Sequence, residues 1–301
     1  MSKWIISLFF LIITGSLYAQ EVKVIEDLRY FESEENDPKH LLDLYLPADT
    51  QEAPMMLWIH GGAWAFGDRK KEKELAMQFV REGVAVAVAS YRLSPGTWAD
   101  PKCNTGIQHP EHIKDIARAF TWVHKHATEY GYSQNNLFVS GYSAGGHLSA
   151  LLAADGQYLE AEGLGTEKIK GIIPIAGAYD ISHYHQAHLR GNGPEMAEKH
   201  VKAVFGDTEE DFANASPTSF VQNLNVPVLL ISERQSYNYT LKFEEAIKQA
   251  NIPNVQYLHV RDLDHKGLYF NLAQAVESNY RDQILAFIKQ LSTPPQLNEL
   301  K

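Results

Sequence analysis

The stretch "VSGYSAGGHLSAL", residues 139–151, sets a serine between glycines where an apolar run gives way to a segment rich in alanine and leucine. Gly141 and Gly145 stand two residues either side of Ser143. This spacing fits a strand-to-helix turn so tight that a Cβ at either place would strike the neighbouring element. A hydroxyl on such a turn sits at the positive end of the following helix, where a developing anion is stabilised. On its own the pentapeptide is equally an ordinary Gly-Ser junction, and its partners must decide between the two.

Upstream, "LWIHGGAWAFGDR" (57–69) follows a strong strand signal. Two glycines after His60 allow backbone N–H groups to face open space, and the amides of Gly62 and Ala63 would join that of Ala144 as an oxyanion hole. His60 itself is expected to orient this loop. Downstream, "HVRDLDHKGLYF" (259–270) carries His265 in the loop after the last strand signal, where a base that swings against a nucleophile belongs. The chain has 13 histidines, and position between the last strand and the last helix singles out this one.

Apolar, β-rich runs recur at 55–60, 84–91, 137–140, 172–176, 226–231 and 255–260, most without polar alternation, as in strands buried on both faces. Helical patterns lie between them, at 70–82, 111–129, 144–154 and 240–250, with a single long helix over 269–291 at the end. Alternating strands and helices predict an α/β class, a doubly wound and mostly parallel sheet whose site lies beyond the carboxyl ends of the strands. Residues 181–216 break the rhythm and read as a lid-like insertion or substrate wall.

Lys3, the apolar run from Trp4 to Ile13 and a small residue at Ala19 lay out a cleaved signal peptide over 1–19, followed by one domain over 20–293 and a tail over 294–301. The apolar run is too short to cross a bilayer comfortably. A secreted or periplasmic protein with no stable membrane span after signal cleavage is expected. The formal charge of -10, with acids and bases interspersed, argues against a nucleic-acid partner. The lone Cys103 rules out an internal disulfide.

"HGGAW" (60–64), "YRLSP" (91–95), "HPEHIKDIARAFTWVHKHATEYGY" (109–132) and "GYSAGGHLSA" (141–150), in this order, resemble the α/β-hydrolase fold. Within it they resemble the serine-esterase branch of feruloyl and acetyl esterase-like, kynurenine formamidase-like and prenylcysteine methylesterase-like enzymes. The resemblance implies Ser143 as nucleophile, His265 as base, and the amides of Gly62, Ala63 and Ala144 as oxyanion donors. In that family the strand matching "VPVLLI" is followed by a turn with the triad's Asp or Glu, but here the turn reads "SERQSYNYT" (232–240), with Gln235 or Ser236 where the acid aligns. Three readings stand: Glu233 reaches the imidazole from earlier in the turn, Asp180 at the end of the preceding strand supplies the acid, or no acid is present. Asp262 and Asp264 adjoin His265 but point along the chain.

These readings lead to an exported carboxylesterase that forms an acyl-enzyme on esters of small to medium acyl or aryl groups. Its substrate would be a small-molecule or carbohydrate-linked ester. The alternatives are an arylformamidase-like amide hydrolase, and a catalytically weakened ligand-binding member of the fold. No metal or organic cofactor is required; His183, His185 and His188 are expected as polar residues of the insertion, and Asp115 as a buried structural carboxylate. Trp64, Phe66, Trp98, Tyr142 and Tyr184 are placed near the site, either packing or stacking on a substrate ring.

Overall fold

The computed structural model describes residues 22–33, 36–191 and 193–293. The segment read as a signal peptide and the tail over 294–301 lie outside the described residues. Eight strands form one sheet: β1 (Lys23–Arg29), β2 (Leu41–Leu46), β3 (Met55–Ile59), β4 (Ala85–Ala89), β5 (Leu137–Tyr142), β6 (Gly171–Ile175), β7 (Val228–Glu233) and β8 (Val255–Val260). Their spatial order is β1-β2-β4-β3-β5-β6-β7-β8. From β4 to β8 every neighbouring pair is parallel, and β1 and β2 run antiparallel at one edge.

Parity along the strands sorts side chains onto the two faces. On β3, Met55, Leu57 and Ile59 join the core beneath α2 (Glu111–Lys125), α3 (Ala144–Ala154) and α5 (Tyr237–Gln249), while Met56 and Trp58 join the core on the other face. That second core is closed by α1 (Lys73–Arg81), α6 (His265–Gln274) and α7 (Asn279–Ser292). On β4 the alanines 85, 87 and 89 take the first face and Val86 and Val88 the second. All residues of α3 are buried, which explains why it shows no polar stripe.

The chain leaves β3 for β4 on one side and later returns to β5 on the other, so the order of winding reverses between β3 and β5. Loops that leave adjacent strands in opposite directions open a crevice at their carboxyl ends. The glycine loop after β3 and Ser143 after β5 both lie at this crevice.

Two features differ from the sequence reading. β1 and β2 carried no clear apolar signal: β1 is an edge strand with mostly exposed side chains, and β2 is interrupted by Asp43. Asp43 is fully buried, but Arg69 Nε donates to it at 3.0 Å, so a charged residue is accommodated inside a strand. The final helix is two helices, because Ser278 caps α7 by accepting from Arg281 N at 3.1 Å while Ala275 is extended. Residues 181–216 fold as α4 (Ile181–Gly191) and several shorter helical turns that end at Glu209–Asn214.

Asp115, fully buried on α2, ties the antiparallel edge to the rest. It accepts from Arg92 N at 3.1 Å and Arg92 Nε at 2.9 Å, and lies 3.2 Å from His40 Nε2. Burial alone would raise its carboxyl, but the hydrogen bonds from His40 and Arg92 prevail and hold it at about 2. Removing one member of such a buried charged network costs about 3–5 kcal/mol. Asp115→Ala is therefore expected to lower the unfolding free energy by roughly 3 kcal/mol, measured by urea denaturation. A loss near that of an exposed Asp would show the network to be dispensable.

Candidate active site

Ser143 adopts φ 56 and ψ -114, a conformation with positive φ that a non-glycine residue rarely takes. Close packing imposes it: a Cβ on Gly145 would lie 2.0 Å from Ile59 O, and one on Gly141 would lie 2.5 Å from the Gly145 carbonyl carbon. The turn is pinned by Ser143 N donating to Ile175 O at 2.8 Å and by His147 N donating to Ser143 O at 3.1 Å. The hydroxyl is thereby held at the amino end of α3, with the amide of Ala144 beside it as one of the helix's unpaired donors.

His265 begins α6, whose cap is Asp264 accepting from Gly267 N at 2.7 Å. Three contacts fix the residue. Its Nδ1 lies 3.0 Å from Glu233 Oε1, its amide donates to Gln235 Oε1 at 3.0 Å, and its carbonyl accepts from Tyr142 Oη at 2.6 Å. With Nδ1 engaged by a carboxylate, Nε2 is the nitrogen left for proton transfer.

Glu233 ends β7 and is buried. Its carboxylate also accepts from the amides of Gln235 at 2.5 Å and Ser236 at 2.7 Å. Burial would push the carboxyl up; the bonds from His265, Gln235 and Ser236 outweigh it and hold it below the usual carboxylate range. Asp180 is elsewhere in role: its Oδ1 accepts from His183 N at 2.8 Å and starts α4. Of the two candidate acids, the structure brings Glu233 to His265. Gln235, which stands at the place of the family's acid, instead holds the histidine's backbone. Neither Gln235 nor the Tyr142 hydroxyl was singled out as a support for His265 in the sequence, since both contacts join residues far apart in the chain.

The loop after β3 supplies the facing wall. Gly62, Ala63 and Trp64 all have positive φ, at 116, 53 and 57. The carbonyl of Gly62 accepts from Ala65 N at 3.1 Å and Phe66 N at 2.8 Å. His60 supports the loop from below, stacked on Tyr91 with ring centroids 4.4 Å apart and Nδ1 2.7 Å from Gly61 O.

Two cavities meet at Ala63, Ser143 and His265. One of about 690 Å³ also touches Gly62, Phe66, Trp98 and Tyr142, and the other, of about 220 Å³, is closed by Trp64, Tyr184 and Tyr239. The smaller one is bounded by the insertion: Trp64 packs edge-on against Tyr184 and Phe205, and its Nε1 donates to His147 Nδ1 at 3.2 Å. His147 Nε2 in turn donates to Ala215 O at 2.7 Å. The imidazole is thus the neutral Nε2–H tautomer, and burial lowers it to about 3.

His183, His185 and His188 lie on α4 against Tyr239, Phe212 and Tyr184 respectively. Among the described residues no three His, Cys, Asp or Glu side chains gather as a metal site, and no helix is long and apolar enough to cross a membrane. Cys103 is a half-buried free thiol in a loop, where its carbonyl accepts from Gly96 N at 2.7 Å.

A mostly parallel eight-stranded sheet with a serine on a strained turn after β5 defines the α/β-hydrolase fold. The BD-FAE family model matches residues 42–237, and the chain belongs to that family. The probable carboxylic ester hydrolase LipM of Mycobacterium tuberculosis is 29% identical over 201 residues, 64% of this chain and 44% of the relative. Esterase LipQ of the same organism is 27% identical over 80% of this chain and 56% of its own length. The chain thus spans about half the length of these two relatives. The kynurenine formamidase of Danio rerio is 24% identical over 89% of this chain and 82% of the relative. Among solved structures, esterase B from Lactobacillus rhamnosis superposes with a TM-score of 0.75 at 21% identity, over 90% of this chain and 87% of that one. A truncated carbohydrate esterase from gut microbiota gives a TM-score of 0.69 at 18% identity, over 90% of this chain and 97% of that one.

Burial lowers eight histidines, five of them far: His60 and His109 to about 4, and His112, His147 and His200 to about 3. In the unfolded chain each titrates near pH ~6.5. Their contribution is therefore complete above that pH and is lost as pH falls from there toward the folded values. Glu72, raised to about 7, has the opposite sign but stands alone against five. The urea midpoint should fall steadily from about pH 6.5 to 4.5, and less steeply in His200→Gln. A flat profile over that interval would contradict the burial of these rings in their neutral form.

Proposed function

We propose that this protein hydrolyses esters through a covalent acyl-enzyme. The observation that carries the reading is the 3.0 Å contact between Glu233 and His265 Nδ1 in a pocket that His265 shares with Ser143. Ser143 Oγ attacks the carbonyl carbon as His265 Nε2 takes its proton. The oxyanion forms beside the amides of Gly62, Ala63 and Ala144. His265 then returns the proton to the departing alcohol. Water, activated by the same imidazole, releases the acid and restores the serine.

Carboxylic esters of small to medium acyl or aryl groups suit the two unequal cavities, and carbohydrate-linked esters suit the aromatic walls of the larger one. The relatives named as esterases support ester hydrolysis. A second reading, hydrolysis of an arylformamide-type amide, is favoured by the formamidase that aligns over 82% of its own length, since acyl transfer from nitrogen uses the same groups. A catalytically weakened member of the fold was suggested by a turn without aspartate, and the placement of Glu233 argues against it. We also infer export, with residues 1–19 removed before a mature start at Gln20, from the apolar run and the small residue at Ala19.

A fluorophosphonate probe should label the folded protein at Ser143, and Ser143→Ala should abolish both labelling and hydrolysis of p-nitrophenyl acetate. Labelling that persists in the variant would remove the serine from the mechanism. Glu233→Gln is expected to reduce kcat by about 10³- to 10⁴-fold, whereas Asp180→Asn should stay within about threefold of wild type. Equal, small effects of the two would refute Glu233 as the carboxylate. Amino-terminal sequencing of the exported protein checks the start at Gln20.

A further inference from the structure

Glu72 is an almost fully buried carboxyl on the wall of the larger cavity, at the end of the short turn that precedes α1. Trp58 Nε1, from β3, donates to its Oε2 at 2.9 Å, and Tyr269 Oη, from α6, donates to the same oxygen at 3.0 Å. Both donors therefore converge on one oxygen, and among the described residues no side chain or backbone group donates to Oε1. A carboxylate has acceptor sites on both oxygens, and with no protein donor on Oε1 those sites are open to a ligand in the cavity that Glu72 lines. Burial pushes this carboxyl up to about 7, with the Trp58 and Tyr269 bonds only partly offsetting it.

The surroundings select what could complete it. Lys71, Glu74 and Lys266 line the same cavity beside Glu72, so neither sign of charge dominates the wall, which suits a ligand without net charge. Phe66, Trp98 and Phe270 add aromatic faces against which a ring packs. The two halves of an ester part at Ser143. The cavity of about 220 Å³ has room for a small acyl group, and the one of about 690 Å³ has room for a larger alcohol.

On the acyl-enzyme reading given above, we propose that Glu72 determines specificity, its Oε1 accepting a hydrogen bond from a free hydroxyl on a neutral, polyhydroxylated alcohol half. The competing role is purely mechanical. Glu72 links β3 to the helix that starts at His265, and Tyr269 packs on Tyr142 with centroids 5.5 Å apart. A clamp of that kind would affect every substrate alike.

Two acetates that differ by one hydroxyl separate these roles: trans-2-hydroxycyclohexyl acetate and cyclohexyl acetate. The wild-type protein should prefer the hydroxylated ester in kcat/KM. Glu72→Gln, which keeps an acceptor for Trp58 and Tyr269, should lower that preference about tenfold. Tyr269→Phe weakens the clamp but keeps the carboxyl, and should move both esters together. An unchanged preference in Glu72→Gln, or an equal loss on both esters, overturns the proposal. If Glu72→Gln does not fold, Glu72→Asp retracts the carboxylate and is read by the same ratio. Ser143→Ala that still turns over both acetates would instead overturn the acyl-enzyme reading on which the proposal rests.

Discussion

The approach of α3 to the sheet governs the rest of the molecule. Gly145 is so near the end of β3 that a side chain there would occupy the space of the Ile59 carbonyl, 2.0 Å from a Cβ. Because the helix is seated this deeply, the chain leaving β5 has to turn within one residue, and Ser143 takes up the strain. The same closeness places the helix's amino end beside the glycine loop after β3. The winding of the chain reverses at these two parallel strands, which opens the crevice at their carboxyl ends.

Around this fixed serine, the histidine is held by contacts that come from two separate parts of the chain. Tyr142 lies one residue before Ser143, while Glu233 ends β7 and Gln235 follows it in the turn. Each contact fixes a different atom of the residue: carbonyl, Nδ1 and amide. Rotation of the ring is constrained as well as its position, which is what a proton shuttle requires. The insertion is joined to the same machinery through Trp64, His147 and Ala215, so the wall of the smaller cavity and the glycine loop share one hydrogen-bonded chain.

How much of this could be read in the chain depended on how local each determinant is. Ser143 and the glycine loop were legible because their strain is met by glycines within a few residues. His265 was legible from its place after the last strand. The acid was not, because Glu233, Asp180 and an empty turn differ only in how β7 stands against α6, a relation between residues 32 apart for the pair actually formed. β1 and β2 are not legible because an edge strand keeps polar side chains and Asp43 is neutralised by an arginine of another segment. The break after Gln274 is not legible because the apolar spacing runs on through it, and Ser278 acts as a cap only once the chain has turned.

Gln235 gives the turn after β7 a wider meaning. It keeps a grip on the backbone of His265 while the charge comes from Glu233, two residues earlier and with its headgroup anchored by two amides of the turn. Support and charge are thus two separable duties, divided between neighbouring side chains. In such an arrangement the backbone seat of the histidine does not depend on the side chain that supplies the charge.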